Sequence, residues 1–163
     1  MYIIVGLGNP GEKYLQTRHN TGRLALAYLE KKELKGVKLV HLDTFMNKSG
    51  LAIVKVVKNK TAAKKLIVIH DDLDLSLGNM KISYNRSSGG HKGVESIIRA
   101  LKTKEFIRIR IGIGKKNDVE KHILGEFKKS EIETLKKVFK KANEAVQIIV
   151  GEGLTRAMTE FNS

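Results

Sequence analysis

The sequence predicts a single α/β domain. Strand-like and helix-like segments alternate along the chain, with no internal repeat and no low-complexity linker. The strand-like runs are short, and the apolar residues between them recur at helical spacing. The 163 residues suffice for one core and are too few for two comfortable ones, so residues 1–163 are expected to form one unit.

Tyr2 to Val5 is a β-rich run that stops at Gly6-Leu7-Gly8-Asn9-Pro10-Gly11. Leu24 to Lys32 has a helical pattern, with Asn20 and Thr21 as candidate caps. Lys38 to Leu42 suits a short strand. Met46, Gly50, Ile53, Val54 and Val57 share one helical face. Leu66-Ile67-Val68-Ile69 is continuously apolar, as expected for a strand buried on both faces, with His70 to Asp74 as the loop beyond it. Met80 to Tyr84 alternates. Val94, Ile97, Ile98 and Leu101 mark a helix in a segment that opens at Ser87-Ser88-Gly89-Gly90. Ile107-Arg108-Ile109-Arg110-Ile111 alternates strictly, putting isoleucines on one face and two arginines on the other. The longest helix carries Ile132, Leu135, Phe139, Ala142, Val146 and Ile149. Ser130 with Glu133 reads as its capping box and Gly151 as its stop. Lys136, Lys137, Lys140 and Lys141 on its other faces read as a solvated surface.

With 41% apolar and 29% charged residues the chain is expected to be globular rather than disordered. It has no cysteine, which excludes a disulfide framework, a thiolate metal site and a cysteine nucleophile. Met1 to Val5 is too short for a signal core and no apolar run approaches membrane-spanning length, so a cytoplasmic protein without a membrane partner is expected. The net charge of +14 suits a polyanionic partner such as nucleic acid, and equally a lysine-rich surface that aids solubility.

Ligands of α/β sheets tend to bind beyond the carboxyl ends of the strands. Gly6 to Asn20, Thr44 to Gly50, His70 to Asp74 and Ser87 to Gly93 are the polar segments in such places. Gly6, Gly8 and Gly11 match G-x-G-x-x-G, but Pro10 removes an amide donor and Arg18-His19-Asn20 follow where a dinucleotide-binding helix would run. A dinucleotide is therefore not expected. Asn47 reads as an N-cap and Phe45, taken alone, as core. Asp71, Asp72 and Asp74 suit a hard cation, a capped turn, or the orientation of a distant histidine. Ser87 to Gly93 enters a helix N-terminus, where anions are favoured. Of the histidines, His41, His70 and His122 read as structural or exposed and His91 as intermediate. His19, in a polar stretch, suits a general base.

Together these stretches resemble bacterial-type peptidyl-tRNA hydrolases. The resemblance rests on Ile4 to Gly11, Tyr14, Thr17-Arg18-His19-Asn20, Thr44 to Gly50, His70 to Asp74, Gly89 to Gly93 and Arg108 to Gly114, in the family's order, with Gly153 to Met158 added near the end. It implies a mixed central sheet flanked by helices on both sides, usually in a monomer. It implies hydrolysis of the ester joining a peptide to the tRNA 3′ ribose, without metal or cofactor. By the same resemblance His19 is the catalytic base, Asp71 holds its imidazole, and Asn9 and Asn47 bind the peptide end, with Asn9 favouring an acylated amino group. Tyr14 and Phe45 lie near the tRNA 3′ end, Lys92 and His91 belong to the substrate loop, and Arg110 meets phosphate. Lys81, Arg86 and Arg108 extend this basic footprint as weaker extrapolations. A catalytically silent RNA-binding relative is the alternative. The sequence departs from the family's pattern at Lys92, where an Asn is usual, and in a short Lys31 to Asp43 stretch that leaves room for fewer peripheral strands.

Overall fold

The computed structural model describes residues 1–163. Its five strands are β1 (Tyr2–Gly6), β2 (Val37–Val40), β3 (Leu66–Asp72), β4 (Met80–Tyr84) and β5 (Ile107–Gly112). They form one sheet in the order β2-β1-β3-β5-β4, parallel except for β4, which pairs antiparallel with β5 at one edge. The helices are α1 (Thr21–Glu30), α2 (Ser49–Ile53), α3 (Lys60–Ala63), α4 (Lys92–Leu101), α5 (Val119–Leu124), α6 (Lys129–Glu152) and α7 (Leu154–Phe161). None is long and apolar enough to cross a membrane.

Strand alternation divides the interior into two cores. Ile4, Ile67, Ile69, Ile109 and Ile111 face Leu26 and Leu29 of α1 and Leu135, Ala142 and Val146 of α6. Val5, Leu66 and Val68 face Ile53 of α2, Ala63 of α3 and Val94 and Ile97 of α4. Helices therefore cover both faces, as the family resemblance implies. Burying one such Ile, Leu or Val stabilises the fold by ~1.5–3 kcal/mol, so these layers hold the strand ends in register.

Two glycines bring α1 onto the sheet. A Cβ on Gly6 would lie 2.0 Å from the Gly22 carbonyl oxygen, and one on Gly22 would lie 2.2 Å from that of Ile69. The segment before α1 is thereby set against the ends of β1 and β3. At the other edge, Asn162 closes the β4 ladder. Its Oδ1 accepts from the Ile82 amide and its Nδ2 donates to the Ile82 carbonyl, both at 2.8 Å.

Several local expectations shift. β3 continues through Asp72, so His70 and Asp71 are strand residues and not loop residues. The expected 46–57 helix is a 3₁₀ turn at Met46–Lys48 followed by the five-residue α2, and Val54 is 38% exposed. Asn47 lies within that turn and Phe45 precedes it, so Asn47 is not the cap. The box at the start of α6 lies two residues earlier than Ser130 and Glu133. Glu131 Oε1 accepts from the Lys128 amide at 2.8 Å, and the reciprocal half is missing because lysine offers no acceptor. α6 runs through Gly151 and stops at Gly153, whose φ of 100° suits glycine. Asn20 precedes α1, but its side chain makes no cap.

Candidate active site

β1 and β3 are neighbours, and the chain leaves them for opposite sides of the sheet, β1 toward β2 and β3 toward β4 and β5. The crevice beyond their carboxyl ends is where such sheets bind ligands. It holds a cavity of about 920 Å³, lined among others by Asn9, His19, Asn47, Asp71, His91 and Lys92.

At its floor, Asp71 Oδ2 lies 2.8 Å from His19 Nδ1, and Asp71 Oδ1 lies 2.8 Å from His91 Nε2. The Gly93 and Val94 amides at the start of α4 both donate to His91 Nδ1. That nitrogen is therefore an acceptor, so Nε2 carries the proton and donates to Asp71. Asp71 Oδ2 likewise accepts a hydrogen bond from His19 Nδ1–H, which leaves His19 Nε2 with a free lone pair at the cavity. Burial alone would raise the Asp71 carboxyl, but the facing His91 and the hydrogen bonds from both imidazoles outweigh it and hold the group well below the usual carboxylate range. Asp71 is thus ionised, and its two oxygens each serve one imidazole.

Ligand atoms of His19, Asp71 and His91 lie within 4.8 Å of one another, a grouping that invites a metal reading. Each Asp71 oxygen already receives an N–H, so a cation would have to displace those protons. The carboxylates of His70 to Asp74 do not converge either. Asp72 Oδ2 takes Arg110 Nε at 2.6 Å, and Asp72 Oδ1 takes the Asp74 amide at 2.8 Å, which is the turn-type reading of that cluster.

Asn9 follows β1 and is held from two sides. The Asn20 side chain accepts from the Asn9 amide at 2.8 Å and donates to the Asn9 carbonyl at 2.9 Å. The Met46 amide donates to Asn9 Oδ1 at 2.8 Å. With Oδ1 occupied, Asn9 offers its Nδ2 donor to the cavity. Phe45, which by itself reads as core and by the resemblance as a neighbour of the tRNA 3′ end, is 53% exposed and meets Tyr14 edge-on with ring centroids 6.3 Å apart at the cavity wall. Asn47 and Lys92, both exposed, line the same cavity, and Lys92 is the first residue of α4.

The β5 arginines do not face water. Arg108 is 4% and Arg110 7% exposed. Arg110 also donates to Ser83 Oγ at 3.0 Å, and Arg108 donates to the Ser87 carbonyl at 3.1 Å. Burial, with the Arg110 cation adding to it against the attraction of Asp72, lowers Arg108 to about 10. His70 lines the cavity too. Its Nδ1 bonds the Asp71 carbonyl at 2.7 Å, and burial, then His91 and Arg108, push it well below 6.5, so it stays neutral. Arg86 joins the lining, whereas Lys81 on β4 does not.

Sequence reasoning did not single out the Asn20 clamp, the Met46 amide, or the α5 wall of Val119, Ile123 and Leu124. It also missed Arg23, which donates to the Leu42 and Thr44 carbonyls and so ties the segment before Phe45 to α1. Asn20 carried the wrong signal, since an Asn before a helix reads as a cap. The α5 wall had a local signal in Asp118, the N-cap whose Oδ1 accepts from the Lys121 amide at 3.1 Å.

A family model described as peptidyl-tRNA hydrolase matches residues 3–163. The chain is 42% identical to the peptidyl-tRNA hydrolase of Thermodesulfovibrio yellowstonii, with 99% of each chain covered. It is 43% identical to that of Thermotoga maritima, covering 99% of this chain and 97% of the relative. A crystal structure of peptidyl-tRNA hydrolase from Acinetobacter baumannii superposes with a TM-score of 0.91 at 30% identity, covering 100% of this chain and 95% of that one. The endopeptidase HycI from Escherichia coli, at 13% identity and a TM-score of 0.59, shares the fold alone.

Proposed function

The chain belongs to the peptidyl-tRNA hydrolase family, and on that premise we propose how its residues cut the ester between a peptide and the tRNA 3′ ribose. The observation that carries the reading is the unshared Nε2 of His19, oriented by Asp71 at the floor of a cavity lined by amides, aromatics and cations. A silent RNA-binding relative gains no support, since the curated relatives bear the hydrolase name and RNA binding does not require an oriented imidazole–carboxylate pair.

His19 Nε2 takes a proton from water as the oxygen attacks the ester carbonyl, and Asp71 stabilises the imidazolium that forms. The tetrahedral adduct collapses with loss of the 3′ ribose oxygen, which takes the proton back. An ester needs less activation than an amide, so a base, a positioned water and oxyanion donors suffice. Asn9 Nδ2 donates to the carbonyl of the blocked amino group, which a free ammonium lacks. Asn47 binds the peptide alongside it. Lys92 brings a donor and a positive charge where the family usually has an amide. Tyr14 and Phe45 stack on the 3′-terminal base. Exposed Arg86 attracts the tRNA backbone at the cavity, whereas Arg110, read in the sequence as a phosphate contact, is largely spent on Asp72 and Ser83. His91, read in the sequence as a substrate contact, positions Asp71 through its Nε2.

The reading extends to a single catalytic unit over residues 1–163, acting as a cytoplasmic monomer without metal or cofactor to recycle tRNA from prematurely released peptidyl-tRNA. The purified protein is expected to release peptide from N-acylaminoacyl-tRNA equally well with and without EDTA. His19→Ala is expected to lower turnover by ~10²–10⁴, the usual worth of a general base. Full activity in that variant would overturn the assignment of the base.

A further inference from the structure

We propose that Asn20 is a positioning residue for substrate selection: its side-chain amide clamps the Asn9 backbone so that Asn9 Nδ2 faces the acyl group of the substrate. The inference rests on the reading of Asn9 given above and extends it to a residue that touches no substrate.

Asn20 is 1% exposed and ends the 3₁₀ turn that carries His19. A side chain at this place usually caps the following helix, yet here it makes no cap. It spends its acceptor on the Asn9 amide and a donor on the Asn9 carbonyl, at 2.8 and 2.9 Å. Asn9 is thereby held at its main chain by Asn20 and at its Oδ1 by the Met46 amide. Three fixed points on one short residue leave a single free polar atom, Nδ2. Gly8 makes the clamp possible, because a Cβ there would lie 2.9 Å from Asn20 Cγ. The clamp also joins the base and the selector. His19 and Asn20 are consecutive, so the segment that carries the base fixes the donor that reads the acyl group.

Removing Asn20 leaves the Asn9 N–H and C=O without their partners in a buried place, and the loop must move to satisfy them. Hydrolysis of N-acylaminoacyl-tRNA then falls more than the slow hydrolysis of free aminoacyl-tRNA, because only the former uses Asn9 Nδ2.

The test compares kcat/KM for these two substrates in Asn20→Ala, Asn20→Asp, Asn9→Ala and the Asn9→Ala/Asn20→Ala double variant. Asn20→Asp keeps the acceptor for the Asn9 amide, loses the donor, and stands in if the alanine variant does not fold. The ratio of acylated to free substrate is expected to drop about tenfold in Asn20→Ala, less in Asn20→Asp, and no further in the double variant than in Asn9→Ala. A parallel loss on both substrates, or a ratio unchanged by either Asn20 variant while Asn9→Ala lowers it, overturns the clamp. A ratio unchanged in Asn9→Ala overturns the underlying reading of Asn9 and the clamp with it.

Discussion

Two clusters of buried charge stand on neighbouring strands and are used differently. At the end of β3, Asp71 receives an N–H from each of two imidazoles, and one nitrogen, His19 Nε2, is left over. Between β3 and β5, Arg110 is held by Asp72 at 2.6 Å and by Ser83 at 3.0 Å. The first cluster is saturated except for the atom that faces the cavity. The second is largely neutralised within the protein. A charge serves a ligand only to the extent that its hydrogen-bonding capacity is unspent, so the net charge of +14 overstates what the site presents.

The largest effect that separates the clusters is expected from Asp71→Asn. An amide cannot accept from both imidazoles with the same charge, so turnover should fall by ~10² or more while tRNA affinity stays the same. A loss confined to affinity would break the contrast. The same substitution has a pH signature. The Asp71 carboxyl is depressed in the folded state, so its contribution to stability is present above its ordinary value of 3.8 and is lost as the pH falls below it. Acid unfolding followed by circular dichroism should lose that component in the variant.

Asp72→Asn tests the other cluster. It releases Arg110 from its buried partner, so the slope of log affinity against log salt should steepen by about one phosphate's worth, ~0.7–0.9. An unchanged slope would mean that the Arg110 charge stays unavailable to tRNA.

His70 sits between the clusters, and its effect is on stability. Its folded pKa is lowered, so its contribution is complete above about 6.5 and is lost as the pH falls below that. Denaturant midpoints of the native protein should decline from pH 7 to pH 5, and His70→Gln should flatten that decline. The smallest effect is expected from Lys92→Asn, which preserves or raises turnover. A large loss there would show that the ammonium has a role of its own beside the Asp71 cluster.

Much of the frame was legible because it is written locally. The strict alternation of Ile107 to Ile111 and the apolar run Leu66 to Ile69 report strand faces directly, and the 3–4 spacing in α6 reports its buried stripe. The boundaries that moved were decided by partners elsewhere. β3 extends through Asp72 because β5 pairs with it as far as Gly112. α2 is short although its pattern runs on to Val57. The site residues read from the motifs, Phe45 among them, come together at one cavity, while Asn20 was misread as a cap.

The sequence by itself determined the α/β class and most of the strands and helices, features that depend on residue type and on spacings of a few positions. Its resemblance to the family, and not local spacing, singled out the histidine, carboxylate and amides that meet beyond β1 and β3. Only the tertiary structure decided which atoms remain free. The His19–Asp71 contact spans 52 positions, Arg110–Asp72 spans 38 and Asn20–Asn9 spans 11. Whether a nitrogen acts as a base or a guanidinium is spent on its neighbour depends on which groups the packed chain brings within hydrogen-bond reach.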